Sequence, residues 1–154
     1  MVKASPPPLG LALSGGGFRG VAHVGFIKVL READIPVHAI SGSSAGALTA
    51  VLAAAGCSID QMLDFWTEAS PFSPTGLAMS QPGLFAADSF AGSLQKYVQV
   101  ERFEDLDVPL IVALTALVRG EVEYRSEGEL LPAVLASSAY PLLFTPVEIG
   151  DELY

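Results

Sequence analysis

The sequence predicts a mixed α/β fold in three layers, with helices on both faces of a mostly parallel central sheet. Short apolar runs alternate with segments of helical periodicity along the chain, which is typical of βαβ units. In addition, 51% of the 154 residues are hydrophobic and the mean hydropathy is +0.47, which fits a sheet buried on both faces. A chain of this length forms one domain at most.

Each element follows from a local pattern. An apolar run that ends in glycines predicts a first strand, and apolar residues at helical spacing opposite Lys28 and Arg31 predict an amphipathic helix after it. Gly56 closes the next helix, and Ser58 caps the one that follows. The predicted strands cover residues 9–14, 38–42 and 108–118, an edge strand within 120–128, and a hairpin within 146–154 that turns at Gly150 and Asp151. The predicted helices cover residues 20–34, 45–56 and 59–69, a segment from a cap at Asp88 or Ser89 through Val100, and residues 129–140 before Pro141.

Charge and composition exclude several classes of function. The net charge is −9 and the basic residues are scattered, so we expect no nucleic acid partner and no polybasic membrane anchor. The longest apolar run, residues 45–57, fits a buried helix better than a membrane span. A single cysteine and two histidines allow neither an internal disulfide nor a zinc cluster, and we expect no cofactor and no metal. The N-terminus does not resemble a signal peptide, which predicts a cytoplasmic protein.

A G-x-S-x-G motif lies between a predicted strand and a predicted helix. It consists of Gly42, Ser43, Ser44, Ala45 and Gly46. In this context the motif acts as a nucleophile elbow, because a strand that turns straight into a helix projects its corner residue. The glycines let the two backbones approach closely, and the helix N-terminus favours negative charge beside it. Ser44 is then the nucleophile, while Ser43 points towards the core or a neighbouring backbone group. The alternative is a plain helix N-cap.

A second glycine-rich turn, residues 14–23, also follows a strand and opens a helix. The backbone N–H groups of this turn are suited to binding an anion. The pattern G-x-G-x-x-G is consistent with the pyrophosphate of a dinucleotide. The alternative anion is the oxyanion that forms in acyl transfer. The second strand ends in a candidate nucleophile and lacks the acidic residue that a dinucleotide requires, which favours an oxyanion hole. The candidate residues of this hole are Gly15, Gly16, Gly17, Arg19 and Gly20. Arg19 either bonds loop carbonyls, meets a substrate head group or is solvated.

Together, the two motifs resemble those of the patatin-like phospholipase family, in which a G-G-G-x-[RK]-G loop supplies the oxyanion hole and G-x-S-x-G carries the nucleophile. The stretches GVAHVGFIKVL, FEDLDVPLIVALTAL and AVLASSAYPLLFTPVEI are also similar to that family. The resemblance implies a flexible segment 1–8 followed by a patatin-like domain over residues 9–154. It further implies a serine acylhydrolase that acts on lipid or phospholipid acyl esters, with transient contact to a membrane surface.

The resemblance also implies a Ser-Asp dyad without histidine. His23 and His38 both precede Ser44, whereas an α/β-hydrolase triad places its histidine last, and we expect His23 to be a packed structural residue. The family's aspartate lies in a D-G-[GA] motif shortly after a stretch like FTPVEI, but this sequence contains no Asp-Gly pair, and Asp151 is expected in a solvated turn. We therefore expect the aspartate beyond Tyr154, which makes this chain an incomplete and by itself inactive part of the domain. The alternative is a catalytically inactive lipid- or partner-binding module.

Residues 70–87 predict a loop rich in proline and glycine. The loop carries more large apolar groups than a freely solvated loop usually exposes: Phe72, Leu77, Met79, Leu84 and Phe85. We expect it either to cover Ser44 as a movable lid that contacts lipid, or to pack statically on the core.

Overall fold

A computed structural model describes residues 7–69, 88–141 and 144–154, without the side chains of Asp88 and Ser89. Within these residues, the strands are β1 (Leu9–Leu13), β2 (Val37–Ser43), β3 (Leu110–Ala116), β4 (Glu121–Arg125), β5 (Glu148–Ile149) and β6 (Glu152–Leu153). The α-helices are α1 (Val21–Glu32), α2 (Ala45–Ala54), α3 (Ile59–Glu68), α4 (Asp88–Tyr97) and α5 (Leu130–Ser138). Most of the segment 1–8 and the whole loop 70–87 lie outside the described residues, so the expectations for them remain predictions.

The central sheet has the order β1-β2-β3-β4. The first three strands are parallel, and β4 joins the edge antiparallel to β3. Leu13, Gly42 and Val112 are register partners, so the carboxyl ends of the three parallel strands meet at one edge of the sheet. The mixed α/β class and the mostly parallel sheet are therefore confirmed, and loops that follow these strands are neighbours at that edge.

Helix α2 forms the centre of the core. All ten of its residues are buried, because it packs on β1, β2 and β3 on one side and against α1, α3 and α5 on the other. Its sequence, AGALTAVLAA, consists mainly of small and aliphatic residues. Small side chains let the helix lie close to the sheet while other helices cover its outer side.

The helices of the described residues cover one face of the sheet. Burial alternates along β3, where Leu110, Val112 and Leu114 are buried and Ile111 is 42% exposed. Tyr124 on β4 shares the face of Ile111 and is 73% exposed. The chain crosses from β1 to β2 and then from β2 to β3 in the same direction along the sheet. Because such parallel crossovers are right-handed, the helices of both lie on the same face of the sheet. The second helical layer of the expected three-layer arrangement is not formed by the described residues and stays a prediction.

The ends of most elements follow the predicted signals. Gly56 has φ +75° after α2, and the Cys57 N–H bonds to the Leu52 carbonyl at 3.0 Å, which is the expected glycine C-terminus. Ser58 forms a capping box with Gln61 at the start of α3. Helix α4 was expected to run through Val100 but ends at Tyr97, because the side-chain amide of Gln99 bonds to the Gln95 and Lys96 carbonyls.

The C-terminal hairpin also forms as predicted, with Gly150 at φ +65° and Asp151 exposed in its turn. Tyr154 is buried, and its hydroxyl donates to Glu123 and accepts from Arg125, both at 2.7 Å. The bonds from Tyr154 and Arg119 hold the pKa of the Glu123 carboxyl below its usual range. The hairpin is therefore tied to the edge of the sheet by charge-assisted hydrogen bonds.

Helices in the described part of the chain are all too short or too polar to cross a membrane.

A buried polar contact joins α2 to the helices around it. Thr49 is fully buried, its hydroxyl accepts from the Trp66 indole N–H at 3.2 Å, and it lies 3.2 Å from the Ala45 carbonyl and 3.4 Å from the Gly20 carbonyl. The Trp66 ring covers Gly20, where an added Cβ would lie 2.7 Å from ring carbons. This contact links α3, α2 and the turn before α1 through one hydroxyl.

We predict that Thr49→Val lowers the free energy of unfolding by about 1–3 kcal/mol, since the variant leaves the buried Trp66 N–H without its acceptor. Thr67→Val is the matched control, because the Thr67 hydroxyl bonds to the Leu63 carbonyl on an exposed face of α3. Chemical denaturation of the protein measures both. Equal stability of the Thr49 variant and the wild type would contradict the structural importance of this contact.

Candidate active site

Ser44 occupies the corner between β2 and α2. Its backbone has φ +52° and ψ −124°, and α2 begins at the next residue. A non-glycine residue in the left-handed region is strained, at a cost of about 1–3 kcal/mol. The side chain is half-buried, and it lies beside the N-terminal end of α2, where free N–H groups produce a positive potential.

The two glycines of the G-x-S-x-G motif are required by close backbone approach. A Cβ on Gly46 would lie 2.0 Å from the Leu13 carbonyl oxygen, and a Cβ on Gly42 would lie 2.7 Å from the backbone of Ala47. Strand β1, strand β2 and helix α2 thus meet with no room for side chains at these points. Ser43 alternates with Gly42 along β2, so its side chain belongs to the sheet face away from α2 and not to the core.

The glycine-rich turn lies directly against the corner. A Cβ on Gly15 would lie 3.2 Å from Ser44 Cβ and 3.9 Å from Ser44 Oγ. Gly17 has φ +57° and opens a 3₁₀ turn, Gly17–Gly20, that leads into α1. Gly20 is buried against Trp66 and Ala45. The structure therefore brings the two sequence motifs together, as the parallel pairing of β1 and β2 requires.

Two side chains hold the glycine-rich turn. Nε of the exposed Arg19 donates to the Gly16 carbonyl at 3.4 Å, and the Arg19 N–H bonds to the same oxygen at 3.3 Å. His23 Nε2 lies 2.9 Å from the Ser14 carbonyl. Of the roles considered for Arg19, bonding to a loop carbonyl is the one observed, and His23 is a structural residue of the turn. His38 accepts the Leu9 N–H at the start of β1.

Two further contacts with Ser44 come from the end of α5, and no sequence pattern predicts them. The Ser44 N–H donates to Ser137 Oγ at 2.9 Å, and Ser137 Oγ donates to the Ala113 carbonyl of β3 at 2.6 Å. Ser138 Oγ lies 3.3 Å from the Ser44 carbonyl. Both serines stand within the stretch AVLASSAYP, whose only visible signal is a pair of hydroxyls at the end of an apolar helix.

In the part of the chain that the structure describes, no side chain hydrogen bonds to Ser44 Oγ. Cys57 is buried beyond the C-terminal end of α2, and burial raises the pKa of its thiol, so it is not an activated nucleophile. The same described ranges contain no group of three or more histidine, cysteine or acidic residues close enough to hold a metal ion.

We predict that Gly46→Ala lowers the free energy of unfolding by about 3 kcal/mol or more, because its Cβ overlaps the Leu13 backbone and the strand or the helix must shift. Gly25→Ala is the control. Gly25 lies on the exposed side of α1 with no atom within 4 Å of an added Cβ, and its replacement is expected to stabilise the helix by about 0.5–1 kcal/mol. Thermal and chemical denaturation measure both variants. A Gly46 variant as stable as the wild type would show that the close approach is not required.

Comparison with known proteins agrees with these motifs. The family model of the patatin-like phospholipases matches residues 11–154. An uncharacterized NTE family protein of Mycobacterium tuberculosis is 31% identical over 153 residues, which cover 97% of this chain and 42% of that protein. Lysophospholipase nte1 of Emericella nidulans is 31% identical over 148 residues, which cover 90% of this chain and 10% of that protein. The chain thus spans less than half the length of these relatives.

Solved structures show the same fold. VipD from Legionella pneumophila superposes with a TM-score of 0.68 at 18% identity, over 97% of this chain and 45% of VipD. ExoU from Pseudomonas aeruginosa, in its complex with SpcU, gives a TM-score of 0.57 at 22% identity, over 94% of this chain and 38% of ExoU. Since the family model extends over nearly the whole chain and includes both glycine motifs, the chain belongs to the patatin-like phospholipase family.

Proposed function

We propose that the full-length protein is a serine hydrolase of lipid acyl esters, of the phospholipase or lysophospholipase type. One observation carries the proposal: Ser44 stands at a strained strand-helix corner with the glycine-rich turn against it. A serine hydrolase needs this combination, because the nucleophile has to project from the backbone and the oxyanion needs N–H donors nearby. Family membership and the similarity to a protein named as a lysophospholipase support the same class of reaction.

In the proposed reaction, Ser44 Oγ attacks the ester carbonyl carbon and loses its proton to a base. The carbonyl oxygen becomes an oxyanion, which accepts hydrogen bonds from the Gly16 and Gly17 N–H groups and from the Ala45 N–H at the start of α2. The alcohol leaves with a proton, and water then hydrolyses the acyl-serine. The Gly16 carbonyl points towards Arg19. Because the peptide bond between Gly16 and Gly17 is trans, the Gly17 N–H points in the opposite direction, away from Arg19.

The base in this proposal is the aspartate of a D-G-[GA] motif that follows Tyr154 in the full-length protein. Two observations support it. No carboxylate in the described residues bonds to Ser44, and the relatives are more than twice as long as this chain. Serine without a base is a poor nucleophile at neutral pH, so we expect residues 1–154 alone to be inactive.

A second candidate function is a catalytically inactive module that binds a lipid or a protein partner. The absence of any side chain bonded to Ser44 Oγ in the described part of the chain favours it. The two functions differ in one property, since only the hydrolase forms a covalent bond between Ser44 and an acyl group or an acyl mimic.

The proposal includes transient contact between a cytoplasmic protein and a lipid surface. The net charge of −9 gives no long-range attraction to an anionic bilayer, so apolar side chains must provide most of the contact. Phe18 in the glycine-rich turn and Phe26 on α1 are about half exposed, at 48% and 52%. They supply apolar surface on the turn that borders Ser44 and on the helix that follows it. The loop 70–87 remains the other expected contact.

We predict that Ser44→Ala in the full-length protein lowers the hydrolysis of a p-nitrophenyl ester at least about a thousandfold, since it removes the nucleophile. Ser43→Ala is the neighbouring control and is expected to keep most of the activity, because its side chain belongs to the other face of the sheet. A fluorophosphonate probe is expected to label the wild type and the Ser43 variant but not the Ser44 variant. Similar losses in both folded variants would refute the assignment of Ser44, and a wild type that the probe does not label would favour the binding module.

We also predict that Gly17→Ala lowers kcat about a hundredfold while KM changes little. Gly17 has φ +57°, so a side chain there strains the turn and shifts its N–H groups, and an oxyanion donor acts mainly in the transition state. The new Cβ meets no atom within 4 Å, so the effect comes from the backbone conformation and not from a steric clash. Gly25→Ala again serves as the control and is expected to keep the wild-type kcat. Full turnover in the Gly17 variant would count against an oxyanion hole at this turn.

A further inference from the structure

The strained backbone of Ser44 requires an explanation beyond the G-x-S-x-G motif. A residue at φ +52° persists only where its surroundings determine it. The glycines at positions 42 and 46 remove steric obstacles to the turn, but an absent side chain does not hold a neighbour in place. Bonds to the peptide groups on either side of Ser44 are what can fix its orientation.

The N–H of Ser44 is fixed by Ser137. Strand β2 ends at Ser43, whose register partner on β3 is Ala113. The backbone then turns away from β3. Ser137 Oγ fills the position between the strands: it accepts the Ser44 N–H at 2.9 Å and donates its proton to the Ala113 carbonyl at 2.6 Å. One hydroxyl therefore connects the corner to a central strand, with its donor and acceptor both used.

Ser138 contributes less to the corner. Its single proton is shared between the Val134 carbonyl at 3.1 Å and the Ser44 carbonyl at 3.3 Å. The Ser44 carbonyl also accepts the Ala47 and Leu48 N–H groups, at 2.8 Å and 3.1 Å. It therefore keeps two partners if Ser138 is lost. The Ser44 N–H has only the bond to Ser137 among the described residues.

We propose that Ser137 is a positioning residue for the nucleophile, which holds the Ser44 backbone in its strained conformation and keeps Oγ aimed at the ester beside the glycine-rich turn. This role rests on the proposed hydrolase function. The bond also occupies the Ser44 N–H, so the oxyanion donors are the glycine-rich turn and the Ala45 N–H. Without Ser137, the corner relaxes and Oγ moves away from the position in which it attacks.

The test compares wild type, Ser137→Ala, Ser137→Thr and Ser126→Ala in the full-length protein. Ser126 is exposed in the segment between β4 and α5 and serves as the control. For the alanine variant we expect kcat on a soluble p-nitrophenyl ester to fall about 10- to 100-fold, as for a nucleophile displaced by about 1 Å, while KM stays within about twofold. The rate of labelling by a fluorophosphonate falls with kcat, and Ser137→Thr restores both because it keeps the hydroxyl.

Hydrogen exchange gives a readout that does not depend on turnover. The amide of Ser44 is expected to exchange faster in Ser137→Ala than in wild type or in Ser126→Ala, at a temperature where all variants are folded. If the fluorophosphonate labels the wild type and the kcat of Ser137→Ala equals that of the wild type, the positioning role is overturned while the hydrolase function stands. A full-length wild type that the fluorophosphonate never labels would overturn the hydrolase function and, with it, this role. Unchanged exchange at Ser44 would show that Ser137 does not hold the corner.

Discussion

The turn from β2 into α2 takes a single residue, Ser44, and much of the described domain is arranged around that turn. A corner this short brings the start of α2 against the end of β1, which is why Gly46 lies on the Leu13 carbonyl. It also directs α2 back across the sheet, where all of its residues become buried. Because β1 and β2 are parallel neighbours, the glycine-rich turn after β1 is brought to the same edge. The close packing of small residues and the geometry of the site thus have one cause.

The polar contacts around the corner connect stability to function. Thr49 and Trp66 join α2, α3 and the turn before α1, so the glycine-rich turn and the helix that follows Ser44 are held by one buried cluster. His23 and Arg19 fix carbonyls of the turn from α1 and from the turn itself. A strained residue is retained only when such contacts outweigh the free energy cost of the strain. An oxyanion hole, in turn, requires hydrogen-bond donors that are held rigidly in place. In the proposed site, the rigid helix-sheet core keeps Ser44 and the oxyanion donors in their relative positions.

Sequence patterns predicted the parts of the fold that depend on local order. Glycine spacing located both turns, Ser58 and Gly56 marked helix ends, and the alternation of strands and helices gave the class. Ser137 could not be found in this way, because its contact with Ser44 joins residues 93 positions apart through one hydroxyl and leaves no periodic signal. The end of α4 was misplaced for a similar reason, since the Gln99 side chain and not a helix-breaking residue ends it. The face to which Ser43 belongs became clear only from its alternation with Gly42 along β2.

In the proposed function, Ser44 and the glycine-rich turn form one catalytic site. The most direct measurement is a crystal structure of the full-length protein after reaction with a phosphonate ester, whose tetrahedral phosphorus stands in for the intermediate of acyl transfer. We expect the phosphorus to be bonded to Ser44 Oγ, with its charged oxygen within hydrogen-bond distance of the Gly16, Gly17 and Ala45 N–H groups. An adduct on another residue, or an oxygen that faces solvent away from these groups, would contradict the claim.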